Sequence, residues 1–187
     1  MESSAVFAGF GGQGILSLGK VVAAAALAEG KEVSWLPSYG PEMRGGTANC
    51  TVVIADRGIG SPVVRMPNVT VAMNIPSCRK FAPLVRAGGI LLVNSTLIPD
   101  VDVTCGADVR IVRVPATGIA IELGSAIAAN MVMLGAFVVA TRMVELATVE
   151  AEVEHLFAKK PEALALSRRA IARGVLAAAA PLEAAHV

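Results

Sequence analysis

Aromatic side chains and charge are both scarce in this chain of 187 residues: Phe, Trp and Tyr make up 4% of it, and Asp, Glu, Lys and Arg 17%. An ordinary soluble domain carries about 25% charged residues. With 55% hydrophobic residues, the core must be assembled from Ala, Val, Leu, Ile and Met, and part of the apolar surface is expected to lie against a partner. Net charge is +1. There is no basic tail and no arginine or lysine stripe interleaved with aromatics, so nucleic acid is not an expected partner. Three cysteines, Cys50, Cys78 and Cys105, include no Cys-x-x-Cys, and the histidines are His155 and His186. That supply cannot build a four-cysteine iron–sulfur or zinc site. A sparse, odd count suits a reducing compartment with all three thiols free and buried. No basic segment precedes the first apolar run, so no signal peptide is expected, and the location is read as cytoplasmic. The uncharged run 123–140 just reaches spanning length but contains Ser125 and Asn130, and it reads as a buried helix rather than a membrane span.

What is present begins with Val6 to Gly14, a short apolar run that breaks into Gly9, Gly11, Gly12 and Gly14 before the helix-forming stretch that starts at Ile15. Strand, glycine turn and helix is the expected order, and it delivers Gln13 and free backbone N–H groups to a helix start, where anions are well received. Gly9, Gly11 and Gly14 fit the G-x-G-x-x-G pattern of dinucleotide folds. The acidic residue that should clamp a ribose is missing: Ser34 to Ser38 contains no carboxylate. Nor does a Gly-Lys-Ser/Thr ending make this a Walker A loop. Two readings stay open, a cradle for a phosphate-bearing group and a turn needed only for packing or a subunit contact.

A second loop, Ser38 to Gly46, gathers Tyr39, Glu42 and Arg44 among glycines and a proline. Tyr39 and Arg44 can grip a carboxylate or phosphate, or Glu42 and Arg44 can pair with each other. Further along, strands are expected at 33–36, closed by Pro37, and at 47–54, 69–73, 90–93 and 109–114. A hairpin return is expected over 59–65. Helices are expected at 77–85, capped by Ser77 or by Asn74 before it, and, after a turn at 115–118, at 119–142 with interruptions near Gly124 and Gly135; others are expected at 14–29, 149–157 capped by Thr148, and 161–180, with a frayed tail beyond. Asn94 ends the strand with the clearest parallel character, and in open α/β sheets ligands sit at such ends. Strands alternating with helices predict an α/β fold: a Rossmann-like, mostly parallel sheet flanked by helices, with one antiparallel excursion and a helical C-terminal part, in a single domain over 1–187. Neither histidine adjoins a candidate nucleophile, and no self-contained catalytic or metal-binding constellation is present.

Gly9-Phe-Gly-Gly-Gln-Gly14, taken with Pro37-Ser-Tyr-Gly-Pro-Glu-Met-Arg-Gly-Gly-Thr47, resembles the gamma subunit of the 2-oxoacid:ferredoxin oxidoreductases over nearly the whole chain, and the strand ending in Asn94-Ser95 fits the same pattern. The resemblance implies a cytoplasmic hetero-oligomer that decarboxylates a 2-oxoacid, 2-oxoglutarate being favoured or else a branched-chain substrate. Such an enzyme makes an acyl-coenzyme A and passes electrons to ferredoxin. Thiamine pyrophosphate and the iron–sulfur clusters would be held by alpha, beta and ferredoxin-like delta partners, and no cofactor by this chain alone. Gly11, Gly12, Gln13, Gly14, Tyr39, Glu42, Arg44, Gly45 and Asn94 would then cover the coenzyme A side of the site or contact a neighbouring subunit. The rival reading is a non-enzymatic Rossmann-like binding or assembly protein.

Overall fold

The computed structural model describes residues 2–39 and 47–179, the side chain of Tyr39 excepted. Six strands form one sheet in the order β2-β3-β1-β4-β5-β6: β1 (Glu2–Phe10), β2 (Glu32–Tyr39), β3 (Thr47–Ala55), β4 (Val69–Ala72), β5 (Ile90–Asn94) and β6 (Arg110–Val114). β1, β4, β5 and β6 run parallel, and β3 is antiparallel to both of its neighbours. The sheet is mixed but mostly parallel, as the alternation of elements predicted.

Among the described residues six α-helices cover it: α1 (Ile15–Ala28), α2 (Ile75–Phe81), α3 (Ala116–Glu122), α4 (Ala129–Thr141), α5 (Leu146–Leu156) and α6 (Pro161–Ala179). Strand alternation sends Phe7, Val71 and Leu92 to one face, where they join α1, α3, α4 and α6 residues in the main core. Leu91, Val93 and Ala72 point the other way, to a smaller core with Cys78 of α2. The rarity of aromatics makes the Phe7–Phe137 pair notable, with ring centroids 5.1 Å apart and tilted by 55°. Residues 129–138 of α4 are all buried. From Ala129 onward the long uncharged run is therefore a core helix, and no helix among the described residues is long and apolar enough to cross a membrane.

Several local expectations give way. Pro37 does not close β2, which continues to Tyr39. β2 is an edge strand, and there a proline's missing N–H need cost no ladder bond. Residues 59–65 form no strand, and Val63 in that segment is 67% exposed. The run 115–118 is not a turn, because α3 already begins at Ala116; the break before α4 falls at Gly124, whose φ is +96°. α5 starts at Leu146, so Thr148 sits inside it rather than capping it. Cys105 is only half-buried, unlike Cys50 and Cys78.

Gly135 does not interrupt α4. It and Gly174 of α6 lie at the seam where these two helices cross. A Cβ on Gly174 would stand 1.8 Å from the Val132 carbonyl oxygen, and one on Gly135 2.1 Å from that of Ile171. The backbones touch where no side chain intervenes, which is the reason glycine occupies both positions.

Candidate functional site: the carboxyl edge of the sheet

The carboxyl ends of β1, β4, β5 and β6 share one edge of the sheet, the usual ligand edge of an open α/β fold. At its centre is the glycine turn. Gln13 N–H donates to the Phe10 carbonyl (3.1 Å), and the Gln13 side chain folds back so that its Oε1 accepts from Phe10 N–H (2.7 Å). Gly14 takes a left-handed φ of +71° and passes the chain into α1 without any side-chain cap. An L side chain would be strained there, and its Cβ would meet the Asn130 amide at 2.2 Å.

From this turn a line of amides runs along the edge. Asn74 Nδ2 donates to Gln13 Oε1 (3.2 Å), and Asn74 Oδ1 caps α2 by accepting from Ser77 N–H (2.9 Å). Gln13 Nε2 and Asn94 Nδ2 both donate to the Met73 carbonyl, at 3.4 and 3.3 Å. Asn94 Nδ2 also donates to Thr117 Oγ1 (2.9 Å), and its Oδ1 accepts from Thr117 N–H (3.2 Å). Thr96 Oγ1 accepts from Gly118 N–H (3.0 Å). The ends of β1, β4 and β5 and the start of α3 are thus tied by one polar chain.

The arrangement sorts the site residues read from the sequence. Asn94 is fully buried and its amide is spent on internal bonds. Gln13 is half-buried, with two donors on its Oε1. Both position the edge rather than reach out from it. Gly11 and Gly12 are exposed, so they are what the turn presents outward. Glu42, Arg44, Gly45 and the side chain of Tyr39 lie outside the described residues. Their flanks do not: Phe10 pairs with Thr47, and Tyr39 with Ala48. That register brings both ends of the 40–46 segment to the same end of the sheet as the glycine turn. Asn74, Thr96 and Thr117 complete the edge. In the sequence Asn74 read only as a helix cap, and nothing in the local pattern pointed to Thr117, whose partner is Asn94 on the other side of an irregular stretch.

The edge holds no activated nucleophile among the described residues. Burial beneath α1 pushes the Cys50 thiol up to about 12, and burial also raises those of Cys78 and Cys105; neutral thiols are poor nucleophiles. His155 is a surface residue beside Glu152 (3.7 Å). No group of three or more His, Cys, Asp or Glu among the described residues could hold a metal ion, so these residues do not fit an iron–sulfur cluster. A cavity of about 410 Å³ lies at the opposite, amino end of the strands, among Glu2, Asn68, Arg86 and Gly89.

Comparison with known proteins adds the family. The family model for pyruvate ferredoxin/flavodoxin oxidoreductase matches residues 4–177. The ketoisovalerate oxidoreductase subunit VorA of Methanothermobacter thermautotrophicus is 52% identical over 128 residues, 68% of this chain but 26% of the relative. The chain thus spans about a quarter of the length of that relative. The 2-oxoglutarate synthase subunit KorC of Methanothermobacter marburgensis is 36% identical over 160 residues, covering 83% of this chain and 86% of the relative. Among solved structures, the gamma subunit of a keto/oxoacid ferredoxin oxidoreductase from Geobacter sulfurreducens superimposes with a TM-score of 0.79 at 30% identity, over 94% of this chain and 98% of that one.

Proposed function

The chain belongs to the pyruvate ferredoxin/flavodoxin oxidoreductase family as its gamma-type part, and we propose that it serves, as a single domain over 1–187, as the non-catalytic gamma subunit of a cytoplasmic 2-oxoacid:ferredoxin oxidoreductase. The observation that carries this reading is that the flanks of the second motif, Tyr39 and Thr47, stand at the end of the sheet that carries the glycine turn, on an edge whose own amides are occupied by internal bonds. Such an edge is built to hold a shape against something else. Thiamine pyrophosphate and the clusters would be bound by alpha, beta and ferredoxin-like delta subunits. Exposed Gly11 and Gly12, with Tyr39, Glu42, Arg44 and Gly45, would meet either the coenzyme A side of the assembled site or a neighbouring subunit. Gln13, Gly14 and Asn94 would hold them in place.

For the substrate, the 52% identity with a ketoisovalerate oxidoreductase subunit favours a branched-chain 2-oxoacid. A second reading, 2-oxoglutarate, is favoured by correspondence over most of the length of the KorC relative.

Purification of the tagged chain from its own cells tests the assembly. Co-purifying thiamine-binding and cysteine-rich subunits, identified by mass, are expected; a lone homodimer would sink the subunit role. Activity of the recovered complex on ketoisovalerate, 2-oxoglutarate and pyruvate then decides the substrate, and a clear preference for pyruvate would reject both readings. Arg44→Ala in that complex is expected to weaken either assembly or coenzyme A-dependent turnover. Both unchanged would remove Arg44 from the interface.

A further inference from the structure

The smaller core, on the face of the sheet that α2 covers, holds two of the three cysteines. Cys78, in the middle of α2, is fully buried there. Cys105 packs against the same cluster from the segment between β5 and β6, and is itself half-buried. The two segments are fastened beside the thiols: Arg79, the residue after Cys78, donates from Nε to Asp102 Oδ1 (2.9 Å), and Asp102 shortly precedes Cys105. Cys50 stands apart in the main core, its thiol donating to the Ile15 carbonyl (3.6 Å).

A guanidinium completes the group. Arg113 of β6 has its Nη1 buried 2.6 Å from Asp100 Oδ1 but out of line for a hydrogen bond, which leaves a buried N–H with no acceptor among the described residues. Buried donors are ordinarily paired. The thiols feel one another and this charge. Burial is the first cause that raises the Cys78 pKa, and a charge on Cys105 is the second, ahead of Asp102; Arg113 works the other way on both Cys78 and Cys105. Such effects fall off with distance. That Cys105 acts on Cys78 more strongly than any other ionisable group therefore marks the two as neighbours.

We propose that Cys78 and Cys105 are a peroxide-sensitive pair that closes to a disulfide. Cys105 reacts first, because it is the thiol that solvent reaches. Its thiolate attacks one peroxide oxygen and the O–O bond breaks. Cys105 is left as a sulfenic acid, and the departing hydroxide takes up the proton that the thiol had lost. The Cys78 sulfur then attacks the Cys105 sulfur, the S–O bond breaks, and the second hydroxide leaves with the Cys78 proton. Two thiols give up two electrons and two protons, and one peroxide becomes two waters. Arg113 favours the thiolate at each step against the burial that opposes it. The closed bond would pin the segment around Asp102 to α2. That helix starts at Asn74, which holds Gln13, so the pin would stiffen the support of the glycine turn. The pair does not depend on the subunit role.

Treatment of the folded full chain with hydrogen peroxide tests the proposal. The remaining thiols are alkylated in denaturant, and the chain is digested without reductant and mapped by mass. The Cys78 and Cys105 peptides are expected joined, with Cys50 alkylated and the oxidised chain still a single chain on a non-reducing gel. Cys105→Ser, a half-buried change, should leave Cys78 alkylated after the same treatment. Arg113→Gln should slow formation of the link severalfold, and an unchanged rate would remove Arg113 from the pair. Cys105 advancing to sulfinic acid while Cys78 stays free would overturn the proposal. So would a link between two chains, or Cys50 joining Cys78 or Cys105 as often as they join each other.

Discussion

The α4–α6 seam and the carboxyl edge of the sheet hold this protein together by opposite means. At the seam, two helices touch through Gly135 and Gly174 with no side chain between the backbones at those points. Its strength is dispersion and exclusion of water, and its geometry tolerates nothing added. At the edge, strand ends and helix starts are linked by Gln13, Asn74, Asn94 and Thr117 through named hydrogen bonds between 2.7 and 3.4 Å. There each bond is directional, and the penalty for change comes from what is left unpaired. The seam secures packing, whereas the edge secures the position of the glycine turn on which the proposed interface depends.

The comparison can be broken most forcefully at the seam. Gly174→Ala places a methyl carbon 1.8 Å from a backbone oxygen, so the helices must part. A loss of about 3 kcal/mol or more is expected, read as a drop in the urea midpoint; a variant as stable as wild type would show that the seam yields easily. Asn94→Ala should cost somewhat less, about 2–3 kcal/mol, because the buried Met73 carbonyl and the half-buried Thr117 N–H and Oγ1 all lose a partner. Its distinguishing mark should be faster amide exchange at the start of α3, with α6 unaffected. Gln13→Ala is expected to cost about 1 kcal/mol, since the residue is half-buried and water can replace some of its bonds. Amide exchange at Phe10 should rise selectively in that variant, and uniform exchange throughout the chain would dissolve the edge as a separate unit.

The smallest effect belongs to a third, more exposed tie. Glu29, just past α1, accepts from Lys31 Nζ (2.7 Å) and from Glu145 N–H (2.7 Å), while Lys31 also reaches the Met143 carbonyl (3.0 Å). Burial works to raise the Glu29 pKa, but the bonds from Lys31 and Glu145 outweigh it, and the net shift is downward from 4.5. A carboxylate held low in the folded state stabilises it above the unfolded pKa and ceases to do so as pH falls through the folded value. Glu29→Gln should therefore be less stable than wild type at pH 7 by under about 1 kcal/mol. That gap should close below about pH 4.5, where the unfolded carboxyl also takes up its proton. A gap independent of pH would mean that the bonds, and not the charge, matter.

The edge was far more legible in the sequence than the seam. Gly11, Gly12, Gln13 and Gly14 announce themselves because a turn of that kind needs glycine locally, and Asn94 follows an unmistakable buried strand. Asn74 was visible as a cap because capping is a contact between near neighbours. Gly135, by contrast, read as a helix interruption. Its true reason is the Ile171 carbonyl, far along the chain, and no local periodicity encodes that approach. Pro37 likewise read as a strand terminator, since only the finished sheet shows that β2 is an edge where proline is tolerated.

By itself the sequence determined the class of fold, the order of most elements, the glycine turn and the absence of a ribose clamp at the end of the second strand, all of which follow from backbone preferences and hydrophobic periodicity acting over a few residues. Only the tertiary structure decided that Tyr39 and Thr47, the flanks of the second motif, reach the end of the sheet that carries the glycine turn, that the Gln13 and Asn94 amides face inward, and that glycines let α4 and α6 touch. Those outcomes depend on strand register and helix crossing, which are settled by contacts between residues distant in the chain.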